Sequence, residues 1–295
     1  MQSADFLSAV FFYLKEGENL NQNWIVENLN NAFSTWNGKL GELWGLVTTG
    51  PQTFKGGAVW SVMQTLHNGM VGIGYALVVL FFAISLCKNT MNFHELKRPE
   101  AAIHYFLRFV AAKALVGYGM DIMLNVFSIC NGIVTDMADS MGGISEAMVS
   151  LPTEMQAAIE NVGFLASIPL WLVTILGSLF ITVLSFVMIL TVYGRFFRLY
   201  MYTALAPLPL AAFAGESTQS VGISFLKSYV GVCLEGAVIV LACVIYSAFV
   251  STPTVASGEA TTIVWSFLAE TVFNMLVLVG LIKGSDRIIH EMMGL

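Results

Sequence analysis

Charge is scarce in this chain. Only 11% of its 295 residues are Asp, Glu, Lys or Arg, and 57% are hydrophobic. Soluble domains carry roughly 25% charged residues, so this composition excludes an ordinary soluble core and implies an integral membrane protein. Proline is rare as well, at seven residues. The four cysteines (Cys87, Cys130, Cys233, Cys243) fall in or beside apolar runs, where thiols act as small core residues. No disulfide and no metal is expected of them. Met1 to Leu14 lacks a basic n-region and a small-residue cleavage site, so no signal peptide is expected. The catalytic signatures are missing too: no GxxxxGK[ST] phosphate loop, no HExxH, no nucleophile elbow and no Cys/His cluster. His67, His94, His104 and His290 are scattered without ligand-spaced partners and read as interfacial or core histidines. The sequence therefore gives no support for an enzyme and calls for no cofactor.

What is present is a series of apolar runs. Residues 20–47 come first and are amphipathic. Leu20, Trp24, Ile25, Leu29, Phe33, Trp36, Leu40, Leu43, Trp44 and Val47 recur at three- and four-residue steps, with Asn, Glu and Lys on the other face. Such a helix lies on the bilayer, docks on a partner, or packs on its own bundle. Gly50-Pro51 ends it. Spanning helices are predicted at 69–87, 100–136, 162–194, 229–250 and 263–282. A short helix is predicted within 152–160. The fold class is all-α, a polytopic membrane protein of about five transmembrane helices, a re-entrant broken helix and an amphipathic N-terminal helix. Residues 1–66 form an external, interfacial region, and residues 67–295 the transmembrane domain.

Orientation follows from where basic residues are absent. The stretches 136–161 and 251–262 hold six acids and no Lys or Arg. The positive-inside rule places both outside and puts the clusters Lys88/Lys97/Arg98, Arg195/Arg198/Lys227 and Lys283/Arg287 in the cytoplasm. Every cluster falls on its preferred side if 196–214 dips into the membrane and returns, with Pro207 and Pro209 breaking it and Gly215 at its turn. The N-terminus is then outside and the C-terminus inside. Six full spans is the alternative.

Five ionisable residues lie within the spans: Arg108, Lys113, Asp121, Glu235 and Glu270. Ionisable groups at membrane depth cost at least roughly 2.5–3.5 kcal/mol each, so they face protein or water. They form either an ion-pair network between helices or a hydrated path.

The run from Arg195 to Phe249 carries a basic pair (Arg195, Arg198), a broken ALAPLPLA segment at 204–211, Gly215-Glu216, and Phe225-Leu226-Lys227-Ser228-Tyr229 leading into the next helix. It resembles the TrbL-type polytopic inner-membrane subunit of conjugative type IV secretion systems, in the version found on Gram-positive integrative elements. The resemblance is clear over 190–250 and looser elsewhere. It implies a multi-pass subunit of a bacterial cytoplasmic membrane, present in several copies beside the assembly and coupling ATPases. Such a subunit helps pass a relaxase-bound single DNA strand. A stand-alone small-solute transporter or channel is the other class. The two halves of the chain share no repeat pattern, which favours the first.

Overall fold

The computed structural model describes residues 2–90, 99–140, 148–160, 162, 164–249 and 260–294, with side chains at 24–88, 103–140, 148–160, 162, 167–249 and 262–294. His94, Lys97, Arg98 and Glu259 lie outside these residues. Among the described residues there are helices and no strands. In chain order they are α1 (Gln2–Thr48), a 3-10 turn (Phe54–Gly57), α2 (Ala58–Thr90), α3 (Pro99–Gly117), α4 (Gly119–Ser140), α5 (Thr153–Glu160), α6 (Phe164–Leu205), α7 (Pro207–Ala211), a second 3-10 turn (Ala212–Ala214), α8 (Gln219–Phe249) and α9 (Ala260–Met293). Four of them, α2, α6, α8 and α9, are long and apolar enough to cross a membrane, and α3 with α4 makes a fifth if the bent pair is one span. These are the five predicted spans.

Two boundaries differ from expectation. The helix predicted to end at 194 runs on through Arg195 and Arg198 to Leu205. Arginine is a good helix former, and both side chains find partners inside the protein, so neither charge interrupts the helix. At 42 residues α6 is about 63 Å long, and it outreaches a hydrocarbon core of about 30 Å. The helix predicted at 100–136 is instead bent by 72° between α3 and α4. The bend falls at Gly117-Tyr118-Gly119, where side chains pack close to both glycines. A Cβ on Gly117 would meet Tyr75 Oη at 2.7 Å, and one on Gly119 would meet Leu210 at 3.2 Å. Backbone bonding continues through the bend, from Tyr118 N to Ala114 O and from Ile122 N to Tyr118 O.

The chain forms two compact units, each assembled from separate segments. The first comprises 1–44, 143–191 and 241–283. Here the apolar stripe of α1 (Ile25, Leu29, Phe33, Trp36, Leu40, Leu43) is buried, so this face packs on its own bundle. Phe33 meets Phe267 edge-on at 6.2 Å, and Trp24, 41% exposed, lies 5.7 Å from Trp171. Polar anchors fix the register. Asn28 Nδ2 donates to Ser178 Oγ at 2.9 Å, and the Asn37 amide pairs with both backbone groups of Val149.

The second unit comprises 45–142, 192–240 and 284–295. Its core joins α2, α3 and α4 to the end of α6, α7 and the first half of α8 through residues such as Val78, Val116, Phe127, Leu199, Leu210 and Val232. The broken element advances along α2 in one direction. His67 faces Thr203, Gly74 faces Pro207, Phe81 faces Gly215, and Ser85 Oγ meets the Glu216 amide. At Gly74 a Cβ would stand 3.0 Å from the Pro207 carbonyl, so only glycine allows this crossing. The chain reverses at 215–218. From α6 to α8, Tyr202 meets Phe225 and Tyr229 while Arg195 reaches Val232 and Cys233, the descending order of antiparallel helices.

Candidate functional site

Arg195 is fully buried and holds three carbonyl oxygens: Val47 at 3.3 Å, Val232 at 3.3 Å and Cys233 at 3.1 Å. Val47 belongs to the last turn of α1, whose final carbonyls have no partner within the helix. Each of the four is satisfied. Gly45 O accepts from Thr48 and Thr49 hydroxyls, Leu46 O from Thr49 N, Val47 O from Arg195, and Thr48 O from Asn131 Nδ2. Arg195 is thus a buried cap for α1 tied across to α8. Gly236 gives the guanidinium its space, since a Cβ there would stand 2.7 Å from Nη1.

One turn on, Arg198 Nη2 donates to both oxygens of the buried Glu235 carboxylate at 2.7 Å. Its Nη1 pairs with Asp286 of α9. Ser285 Oγ also donates to Glu235 Oε1 at 3.2 Å. The cluster therefore joins α6, α8 and α9. Asp286 and Ser285 had no signal in the sequence beyond their place among the basic flank of the last helix.

Among the described residues, none of the five intramembrane charges is paired with another of the five. Glu235 takes as its partner Arg198, which is not one of the five. Arg108 donates to Gln219 Oε1. Lys113, Asp121 and Glu270 are exposed, and none of them forms an ion pair among the described residues. Of the residues assigned to the re-entrant segment, Arg195 and Arg198 lie within α6, Pro207 and Pro209 form α7, and Gly215 begins the reversal.

A polar cavity of about 410 Å³ lies beside α4. Asp121, Asn125, Ser128 and Asn131 line it at successive turns of one helix face, opposite the backbone of Gly50 to Gln52. The Asn131 amide gives its Nδ2 to Thr48 O, and its buried Oδ1 has no donor. A second cavity of about 230 Å³ is lined by Ser85, Lys88, Glu216 and Ser217. Among the described residues no three His, Cys, Asp or Glu side chains are grouped to hold a metal ion. The arrangement can clamp helices and bind a cationic or donor-bearing group.

Comparison with known proteins gives one result. A family model described as TrbL/VirB6 plasmid conjugal transfer like protein matches residues 36–207, more than half of the chain. That match takes in α2, α3, α4, the clamping arginines and Pro207. No curated protein and no solved structure matches.

Proposed function

Because this chain belongs to the family of TrbL/VirB6 plasmid conjugal transfer like proteins, we propose that it is a membrane channel and scaffold subunit of a conjugative type IV secretion system. It helps carry relaxase-bound single-stranded DNA across the bacterial cytoplasmic membrane. The observation that carries the reading is the family match over 36–207, together with the multi-pass helices on which it falls. In this reading the protein acts by position and not by bond chemistry. It works in several copies beside the assembly ATPase, with its N-terminus outside and its C-terminus in the cytoplasm.

The charge distribution limits how DNA is handled. Phosphate recognition rests on free Lys and Arg side chains. Arg195 and Arg198 are engaged by carbonyls and carboxylates. The basic side chains left exposed and outside the apolar face of α3 include Lys88, Lys227 and Lys283. Contact with the strand is therefore brief and made at these few points. The α4 polar face adds hydration without positive charge.

The test is crosslinking in mating cells. A photoreactive residue at position 88, 227 or 283 should capture transferring DNA in donors with a functional relaxase, and capture none without it. Normal transfer with no capture at any of the three positions would remove the DNA-passage reading and leave a scaffold.

A further inference from the structure

On a straight helix Lys113 and Asp121 would stand two turns apart on roughly one face. The 72° bend at Tyr118 assigns them instead to two helices of different direction. Both are exposed, and among the described residues they make no ion pair with each other or with any other group. Lys113 stands on a face of α3 whose other members are apolar and outward: Phe106, 62% exposed, and Val110, 44% exposed. In a bilayer that face meets acyl chains, and an ammonium there has nothing to bind.

Asp121 has the opposite surplus. It opens onto the 410 Å³ cavity, whose polar lining adds Asn125, Ser128 and Asn131 and includes no Lys, Arg or His. The buried Asn131 Oδ1 has no donor. Leu124 and Phe127 supply apolar wall. A site with an unpaired carboxylate, polar side chains such as Asn125 and Ser128, and an apolar flank suits a lysine. Its ammonium offers three donors, and its four-carbon stem packs on apolar surface.

We propose that Lys113 of one copy of this protein docks in the Asp121–Asn131 cavity of a second copy. The proposal rests on the multi-copy reading above and deepens it by naming the interface. Donor and acceptor surfaces are different patches of one chain. The contact is therefore head-to-tail, and it closes into a ring when the rotation between copies allows.

The test uses full-length chains with two different tags, co-expressed and purified from membranes. Lys113→Asp alone makes both positions acidic, and Asp121→Lys alone makes both basic, so each variant should lose at least tenfold in capture of its own kind. Co-expression of the two should restore capture, because an all-acidic copy then meets an all-basic copy at every junction. Restoration only when both changes sit in one chain would mean pairing within a chain, and would overturn the proposal. So would wild-type capture by either single variant. A second measurement does not depend on charge. In a Cys87→Ser background, copies carrying Lys113→Cys and copies carrying Asp121→Cys should crosslink to each other, and neither to its own kind. If wild-type copies associate and both experiments fail, the interface lies elsewhere and the channel reading stands. If wild-type copies never associate, the multi-copy reading falls along with this one.

Discussion

His67 Nδ1 lies 2.7 Å from the carbonyl oxygen of Thr203, the carbonyl that Pro207 leaves without a donor four residues later. A carbonyl only accepts, so Nδ1 carries the proton. Proline lacks the N–H that would close this turn of α6, and a buried histidine from α2 closes it instead. His67→Leu should therefore cost about 1–3 kcal/mol, the penalty of a buried unsatisfied polar group. In a Pro207→Leu background the helix can supply its own donor, and the same His67 change should cost less. Thermal unfolding of the four variants in detergent measures the coupling. The double variant Pro207→Leu/Pro209→Leu should still insert yet lose DNA transfer, because α7 could no longer pass Gly74 at the present distance.

Gly236 and Arg195 are coupled by space instead of by a bond. Gly236→Leu should lower the protein level in membranes severely, since the guanidinium has no other room. Arg195→Ala should also destabilise, by leaving the Val47 carbonyl at the end of α1 without a donor at about 1–3 kcal/mol, while the Val232 and Cys233 carbonyls keep their own bonds within α8. Combining the two changes should be less harmful than their sum, because the leucine fills the vacated volume. Strict additivity would show that the residues do not compete for space.

Arg198 and Glu235 form the buried ion pair. Removing only the arginine leaves an uncompensated carboxylate, at roughly 3–5 kcal/mol. Arg198→Met should be far worse than Arg198→Met with Glu235→Gln. Membrane levels and melting temperatures of the singles and the double decide it. A double no better than Arg198→Met alone would assign the carboxylate's support to Ser285.

Orientation can be read by cysteine labelling in a Cys87→Ser background. Ser140→Cys, at the exposed end of α4, should react with an impermeant maleimide in intact cells. Met292→Cys, 74% exposed near the end of α9, should react only after permeabilisation. Ser285 is unsuitable for this purpose, because it is buried against Glu235. External labelling at 292 would reverse the proposed topology.

The spans were legible because uninterrupted apolar runs have few other uses in a chain with so little charge. The end of α6 was not, because Arg195 and Arg198 look like a membrane exit until their internal acceptors are known. Those acceptors are backbone carbonyls and a glutamate on another helix, which no periodicity reveals. The α3–α4 bend was hidden for a related reason. Gly117 and Gly119 do not disturb the apolar pattern, and the side chains packed against them, Tyr75 and Leu210, are far away in sequence. The polarity of α4 was visible in Asp121, Asn125 and Asn131, whereas the cavity depends on Gly50 to Gln52 lying opposite. Pro207 did mark Thr203 as an orphan carbonyl, though nothing in the sequence singled out His67 as its donor.

The closing turn of α1 has a consequence for biosynthesis. Its last two carbonyls wait for Asn131 and Arg195, which lie 83 and 148 positions further along the chain. A ribosome has therefore made the first helix long before either donor exists. Through most of translation that helix has an open end, completed first when α4 reaches the membrane and finally when α6 does. A nascent chain halted before residue 195 therefore lacks the donor that caps Val47 and keeps an unsealed first helix.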